Sequence, residues 1–247
     1  MISFVGAILT VVSAVSLADL PPVPGGGVRV YLVRHGQAFS NLTPLPDLPP
    51  DQLDRLTPLG HEQARKAGVA LKDRGIAWIV TSPKGRASET ADEIAAVLGI
   101  PVRVDPRLRS LEIGKGEDGK SLKWDQRLAV WKAGRDPEPK AGESLQQLGN
   151  RVLEAIASAR QDLAGKSVVF VSHGEVMQNL VGILQGKPPA QRFDSSFANG
   201  SISVLDAGAE PLTAVRILNF VPPSQNVSDG GLHAGAAGSP AYRPDAP

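Results

Sequence analysis

Two of the chain's four histidines occupy the same kind of position, directly after an apolar run and directly before a glycine. Arg34-His35-Gly36 follows residues 28–33, and His173-Gly174 follows residues 168–172. Both runs are short and apolar, which is typical of buried β-strands. Because an open α/β sheet binds its ligands at the carboxyl ends of its strands, we expect the two imidazoles to meet in one pocket.

Arginines are predicted at the same edge of the sheet. Arg34 follows the first strand, and Arg86 lies on the first turn of a helix after a second predicted strand, residues 76–81. Arginine binds oxygen pairs with two parallel hydrogen bonds, and a helix N-terminus offers free N–H groups with a partial positive charge. Glycine at 36 and 174 would let the backbone approach closely. Together these groups predict a site for a phosphate dianion.

A histidine in a phosphate site indicates a reaction as well as binding, because neutral imidazole is a competent nucleophile that can form a covalent intermediate. The alkoxide that leaves then needs a proton, so an acid is expected to face the site. Glu112, in the irregular segment after the third strand, has apolar neighbours and is the candidate acid. Glu117 and Glu143 are nearby carboxylates and remain as alternatives.

Strands and helices alternate along the chain and must position these residues. Thr57-Pro58 combines a capping hydroxyl with proline at the first helical position, and Ser82-Pro83 repeats this start signal. The patterns predict strands at 28–33, 76–81, 102–104 and 167–172, an edge pair at 201–205 and 213–217, and helices at 58–75, 84–98, 122–131, 143–163 and 173–184. This alternation predicts one three-layer α/β/α domain, a mostly parallel sheet flanked by helices.

Charge and cysteine content narrow the possible functions. The 26 basic and 25 acidic residues give a net charge of +1, which offers no support for a nucleic-acid or membrane-surface partner. The chain has no cysteine, which excludes thiol catalysis, disulfide bonds and cysteine-ligated zinc.

The two ends of the chain differ from its body. Residues 1–18 carry no charged side chain and end in small residues, which predicts a signal peptide and an exported protein. An uncleaved membrane anchor, or an ordinary N-terminal element of a cytoplasmic protein, remains as an alternative, and only the anchor would make a membrane a partner. Residues 19–27 are predicted to be a Pro/Gly linker, residues 28–221 the folded domain, and residues 222–247 a disordered tail.

Six short blocks occur in a fixed order between residues 28 and 205. They are Leu32-Val33-Arg34-His35-Gly36-Gln37 with Asn41; Leu56-Thr57-Pro58-Leu59-Gly60; Thr81-Ser82-Pro83 with Arg86; Leu111-Glu112 with Gly114; Gly142-Glu143-Ser144; and Val171-Ser172-His173-Gly174. In this order they resemble the histidine phosphatase superfamily, also called phosphoglycerate mutase-like.

The resemblance implies a phosphoglycerate mutase-like fold and a role for each matching position. His35 would be the phosphorylated nucleophile, and Arg34, Arg86 and His173 would hold the phosphoryl oxygens with help from Asn41. Glu112 would protonate the leaving group and then activate water. No metal or other cofactor is implied, and the substrate would be a small phosphorylated molecule or a phosphopeptide.

The stretch between Glu112 and Gly142 indicates the branch of the family. Mutase members resemble this chain but carry a longer insertion there, so the short stretch favours a phosphatase with a site open to water. Residues 116–119 stand where many phosphatase members have Gly-x-Trp-Glu-Gly, a departure that bears on the substrate-facing surface and not on the reaction core. A mutase-type phosphotransferase and a non-catalytic module that binds a phosphorylated ligand remain as alternatives.

Overall fold

The computed structural model describes residues 16–23, 25–208 and 213–223. Within them one sheet has the strand order β3-β2-β4-β1-β5-β6. Its strands are β1 (Val28–Arg34), β2 (Ile76–Thr81), β3 (Val102–Val104), β4 (Ser167–Ser172), β5 (Ile202–Ala207) and β6 (Thr213–Phe220). The helices of the same residues are α1 (Pro50–Leu53), α2 (Pro58–Ala70), α3 (Gly85–Leu98), α4 (Trp124–Lys132), α5 (Leu145–Asp162) and α6 (Gly174–Leu184).

The register of the two central strands brings the two histidines together. Strand β1 pairs in parallel with β4, and Arg34 lies opposite Ser172. The next residue after each of these is a histidine, and the backbone N–H of His35 donates to the carbonyl oxygen of Ser172 at 3.0 Å. Strand β2 is also parallel to β4, so the segments that follow β1, β2 and β4 leave the sheet at one edge.

Helices cover both faces of the sheet, as the alternating pattern predicts. Along β1, Val30 and Leu32 pack on the side of α5 and α6, whereas Tyr31 and Val33 pack on the side of α2 and α3. All seven residues of β1 are buried, because the strand lies inside the sheet with a helix layer on each face. The three-layer α/β/α fold is therefore confirmed.

Several element boundaries differ from the prediction. Thr57 does cap α2, with its hydroxyl accepting from the N–H of Gly60 at 3.1 Å, but the helix ends at Ala70 rather than near residue 75. Helix α3 begins at Gly85, and Ser82 is not its cap. The predicted pair is real, but β5 also pairs with β1, so of these two strands β6 alone lies at an edge of the sheet.

The segment that leads into β1 lies against the body. Leu17 begins a 3₁₀ turn, Leu17–Asp19, and is 4% exposed within the core on the side of α2 and α3. The guanidinium of Arg29 donates to the carbonyl oxygen of Pro21 at 2.8 Å. Most of the predicted signal peptide, up to residue 15, and the predicted tail from residue 224 lie outside the described residues. In the described part of the chain, no helix is both long enough and apolar enough to span a bilayer.

Candidate active site

His35 is the first residue after β1 and is fully buried. Its Nδ1 lies 2.7 Å from the carbonyl oxygen of Gly36. A carbonyl oxygen can only accept, so Nδ1 carries the proton and Nε2 keeps its lone pair. That lone pair accepts a hydrogen bond from Nε of Arg86 at 3.2 Å. The contacts of the ring therefore favour the tautomer that carries its proton on Nδ1 and its lone pair on Nε2.

The turn after His35 requires glycine because two backbones touch there. A Cβ on Gly36 would overlap the carbonyl oxygen of Gly60, and a Cβ on Gly60 would overlap that of Gln37. The expected close approach at Gly36 is thus real, but the neighbour is the first turn of α2. This contact fixes the backbone beside His35.

His173 follows β4 and is the residue from which α6 begins. Its ring centroid lies 5.3 Å from that of His35, with the ring planes tilted by 58°. Nε2 of His173 lies 2.8 Å from the hydroxyl oxygen of Ser82, which follows β2. The hydroxyl predicted to cap α3 instead orients an imidazole, and the two histidines meet at the carboxyl edge as expected.

Arg86 is the second residue of α3, and its side chain is 1% exposed. Besides its contact with His35, its Nη1 donates to a carboxylate oxygen of Asp54 at 2.5 Å. The other oxygen of that carboxylate accepts from the backbone N–H of Gly85 at 2.7 Å. The guanidinium is thus held between the imidazole and a carboxylate from the loop before α2.

Arg34 and Asn41 contact the loop that precedes β5. Nη1 of Arg34 donates to the carbonyl oxygen of Phe197 at 2.7 Å. The amide of Asn199 donates to the carbonyl oxygen of His35 at 3.1 Å and to the side-chain oxygen of Asn41 at 3.3 Å. One loop therefore supports Arg34, Asn41 and the backbone of His35.

The side chain of Glu112 lies at the surface, and the expectation of apolar surroundings is wrong. Its side chain is 54% exposed, and Nε of Arg109 donates to its carboxylate at 3.0 Å. Its neighbour Leu111 is buried in the core instead. Successive residues of an extended segment face opposite ways, so an apolar neighbour in sequence does not predict an apolar environment.

Glu143, one of the two alternative acids, is engaged in holding the loop. Its buried carboxylate is bound bidentately by Arg151, at 2.6 and 2.9 Å, and accepts from the backbone N–H of Glu112 at 3.2 Å. Arg151 also donates to the carbonyl oxygens of Arg107 and Ser110, at 2.5 and 3.2 Å. This makes Glu143 a structural anion, whereas Glu117, the other alternative, is exposed on a turn.

Two further contacts fasten the loop of Glu112 beside His173. The hydroxyl of Ser172 donates to the carbonyl oxygen of Leu108 at 2.8 Å. The carboxylate of Glu175, in the first turn of α6, accepts from the N–H of Leu111 at 3.1 Å. The loop thus crosses the end of β4 and the start of α6, next to the two imidazoles.

The charge of this region suits an anion. Two arginines and the N-termini of α3 and α6 supply positive charge around His35 and His173, and all four side chains are at most 6% exposed. Buried charges are screened less by water and salt than exposed ones, so an oxyanion held here would be bound strongly. The groups gathered here have the charge and the hydrogen-bond donors that a phosphoryl group requires.

Comparison with known proteins identifies the family of the chain. The model of the histidine phosphatase superfamily (branch 1) matches residues 30–219. The chain belongs to the histidine phosphatase superfamily. The matched segment runs from β1 into β6 and includes all six candidate site residues.

Relatives in the superfamily include both phosphatases and mutases by name. The chain is 34% identical over 195 residues to "Probable phosphoglycerate mutase GpmB" of Yersinia enterocolitica, an alignment that covers 76% of this chain and 88% of the relative. A mycobacterial glucosyl-3-phosphoglycerate phosphatase, solved in complex with VO3, is 27% identical with a TM-score of 0.62, covering 78% of this chain and 99% of that one. YhfR of Bacillus stearothermophilus is 25% identical with a TM-score of 0.63, covering 78% and 98%.

Three residues of this histidine phosphatase site escaped the sequence reasoning. Asp54, Asn199 and Glu175 each contact a candidate residue or its loop across 32 to 164 positions of sequence. The one feature of the sequence that points to these residues is their place next to the predicted site segments. Asp54 and Asn199 lie in loops next to a quoted block or strand, and Glu175 lies one residue after His173-Gly174.

Proposed function

We propose that the protein is a metal-independent phosphomonoester hydrolase that acts through a phosphohistidine on His35. The observation that carries this proposal is the pair of contacts made by the two ring nitrogens of His35. Nδ1 lies 2.7 Å from the carbonyl oxygen of Gly36, to which it can donate a hydrogen bond, and Nε2 accepts a hydrogen bond from Nε of the buried Arg86. These contacts place a nitrogen that can act as a nucleophile beside a buried cation, which is the arrangement that attack on a phosphoryl group requires.

In the first step Nε2 of His35 forms a bond to phosphorus while the bond from phosphorus to the ester oxygen breaks. Arg34, Arg86 and His173 hold the phosphoryl oxygens, with Asn41 assisting, and supply the positive charge that a bound metal ion supplies in other phosphoryl-transfer enzymes. Glu112 gives its proton to the departing alkoxide. The products of this step are a free alcohol and phosphohistidine.

In the second step water attacks the phosphohistidine, and the carboxylate of Glu112 accepts a proton from that water. The phosphorus–nitrogen bond breaks and phosphate leaves, which restores neutral His35. The exposure of Glu112 supports this role, because both a leaving alcohol and an incoming water must reach the carboxylate from solvent.

Hydrolysis is favoured over mutase activity by the short segment between Glu112 and Gly142. That segment consists of a turn, helix α4 and a strand-like contact of Lys115 with Lys140. Phosphoglycerate mutase activity is the second candidate, because a 34% identical relative carries that name. The substrate class we infer is a small phosphorylated metabolite, and phosphoglycerates and glucosyl-3-phosphoglycerate are the first compounds to test.

The test compares His35→Ala with His61→Ala, a matched change of a half-exposed histidine on α2. Phosphate release is measured with p-nitrophenyl phosphate and a panel of phosphomonoesters, with and without a chelator. We expect His35→Ala to lose turnover by at least about a thousandfold, as nucleophile removal does elsewhere, while His61→Ala and the chelator leave it unchanged. Wild-type turnover in His35→Ala would contradict the proposal, and transfer between the 2- and 3-positions of phosphoglycerate, dependent on a bisphosphorylated activator, would identify a mutase.

A further inference from the structure

Both carboxylate oxygens of Asp54 accept hydrogen bonds from the first turn of α3. One oxygen accepts from Nη1 of Arg86 at 2.5 Å, and the other accepts from the backbone N–H of Gly85 at 2.7 Å. The Arg86 side chain is 1% exposed and the Asp54 side chain 27%, so the pair is largely shielded from water. A charge-assisted bond that is partly shielded from water is stronger than a surface ion pair.

The contacts of Arg86 form a chain that ends on the nucleophile. Asp54 holds Nη1, and Nε donates to Nε2 of His35 at 3.2 Å. A guanidinium is planar and rigid, so fixing two of its nitrogens fixes the direction of all its N–H groups. The orientation of Arg86 relative to the reacting nitrogen is therefore set from outside the site by Asp54.

The loop that carries Asp54 is built to sit on the first turn of α3. A Cβ on Gly85 would lie 2.9 Å from the carbonyl oxygen of Asp54 and 3.2 Å from its carboxylate, so glycine is required for this approach. The N–H of Leu56 donates to the carboxylate of Glu89 at 2.7 Å, one turn further along the helix. Two carboxylates, one from each side, thus fasten the loop to the helix that presents Arg86.

We propose that Asp54 is a positioning residue that holds Arg86 in the orientation needed to bind the phosphoryl group as it moves onto His35. This inference rests on the proposed function, since it assigns Arg86 to the phosphoryl oxygens. An aspartate beside the anion site weakens the attraction for a phosphate in the ground state. Its benefit is geometric, and misplacement of a catalytic group by about 1 Å costs up to about a hundredfold in rate.

The experiment measures kcat with p-nitrophenyl phosphate and the inhibition constant of inorganic phosphate in Asp54→Asn, which keeps the size and removes the charge. We expect kcat to fall by about tenfold to a hundredfold, while the inhibition constant stays within about threefold of wild type or improves. Asp51→Asn, an exposed change on α1 of the same loop, is the matched control and is expected to keep wild-type values. Wild-type kcat in Asp54→Asn would overturn the proposal.

A double-mutant cycle with Arg86→Ala separates positioning from general support of the loop. We expect Asp54→Asn to change kcat by no more than about twofold once Arg86 is absent, because its effect passes through that side chain. If Asp54→Asn lowers kcat in the Arg86→Ala background as much as it does in wild type, Asp54 has a structural role and the inference is wrong. Should Asp54→Asn fail to fold, Asp54→Glu keeps the charge but shifts the contact, and wild-type kcat in that variant would overturn the inference equally.

The same series includes His35→Ala, so the two proposals can fail separately. If His35→Ala keeps its turnover, the proposed function is wrong whatever Asp54 does. If His35→Ala is inactive and both Asp54 variants match wild type, only the role of Asp54 is wrong.

Discussion

Arg151→Met is expected to destabilise the fold and to loosen the loop that carries Glu112. Arg151 and Glu143 form a buried ion pair, with side chains 9% and 6% exposed and two hydrogen bonds of 2.9 and 2.6 Å. Removing one partner of such a pair costs about 3–5 kcal/mol, because the other charge stays buried without compensation. Arg109 still lies 3.5 Å from Glu143, so the lower end, about 3 kcal/mol, is expected here.

Chemical unfolding followed by circular dichroism measures the change, and thermal unfolding is expected to show a midpoint lower by about 10 °C. The double variant Arg151→Met with Glu143→Gln removes the unpaired charge and should recover a large part of the loss. Gln161→Met, an exposed change on the same helix, is the control. A loss below about 1 kcal/mol in Arg151→Met, or a double variant no more stable than the single one, would refute the reasoning from a buried pair.

Three other predictions use contacts of the site and of the N-terminal segment. Ser82→Ala removes the hydroxyl that lies 2.8 Å from Nε2 of His173. The variant should have a kcat lower by about tenfold and nearly the same unfolding temperature as wild type. An unchanged kcat would contradict the role of this hydroxyl in orienting His173. Leu17→Ala should destabilise the domain by about 2 kcal/mol, because Leu17 is buried in the core, and an unchanged unfolding free energy would contradict this. Cleavage after residue 18 would remove Leu17, and N-terminal sequencing of the mature protein tests for that cleavage. Burial raises the pKa of Asp105, but the hydrogen bonds from Arg107 outweigh this effect and hold the pKa below its usual range. The ionised carboxylate therefore stabilises the fold above about pH 4, and this stabilisation is lost as the pH falls through the lowered pKa of the folded protein. The stability difference between wild type and Asp105→Asn should therefore shrink on acidification, and a constant difference would contradict the assignment.

The parts of the site that the sequence predicted are those with a local pattern. A short apolar run that ends in His-Gly indicates a strand end, so His35 and His173 were placed at the sheet edge from their own neighbours. That β1 and β4 are adjacent does not follow from either run. It follows from the pairing of Arg34 with Ser172, which joins segments 138 positions apart.

The parts that were missed or misread depend on contacts between distant segments. Asp54 lies in a loop whose composition indicates only a connection, and its role is visible only once Gly85 and Arg86 are beside it. Ser82 followed by proline has two possible uses, as a helix cap or as a partner in tertiary structure, and the sequence does not distinguish them. The apolar neighbour Leu111 predicts an apolar environment for Glu112, but neighbouring side chains of an irregular segment face different ways.

The proposed mechanism requires a covalent bond between phosphorus and Nε2 of His35 during turnover. A phosphorylated substrate labelled on phosphorus is mixed with the protein, the reaction is stopped with base during turnover, and the peptide that carries the label is identified by mass spectrometry. We predict label on the peptide of His35, stable in base and lost in acid, and no label in His35→Ala. Turnover without any label on that peptide, or label on another residue, would contradict the account.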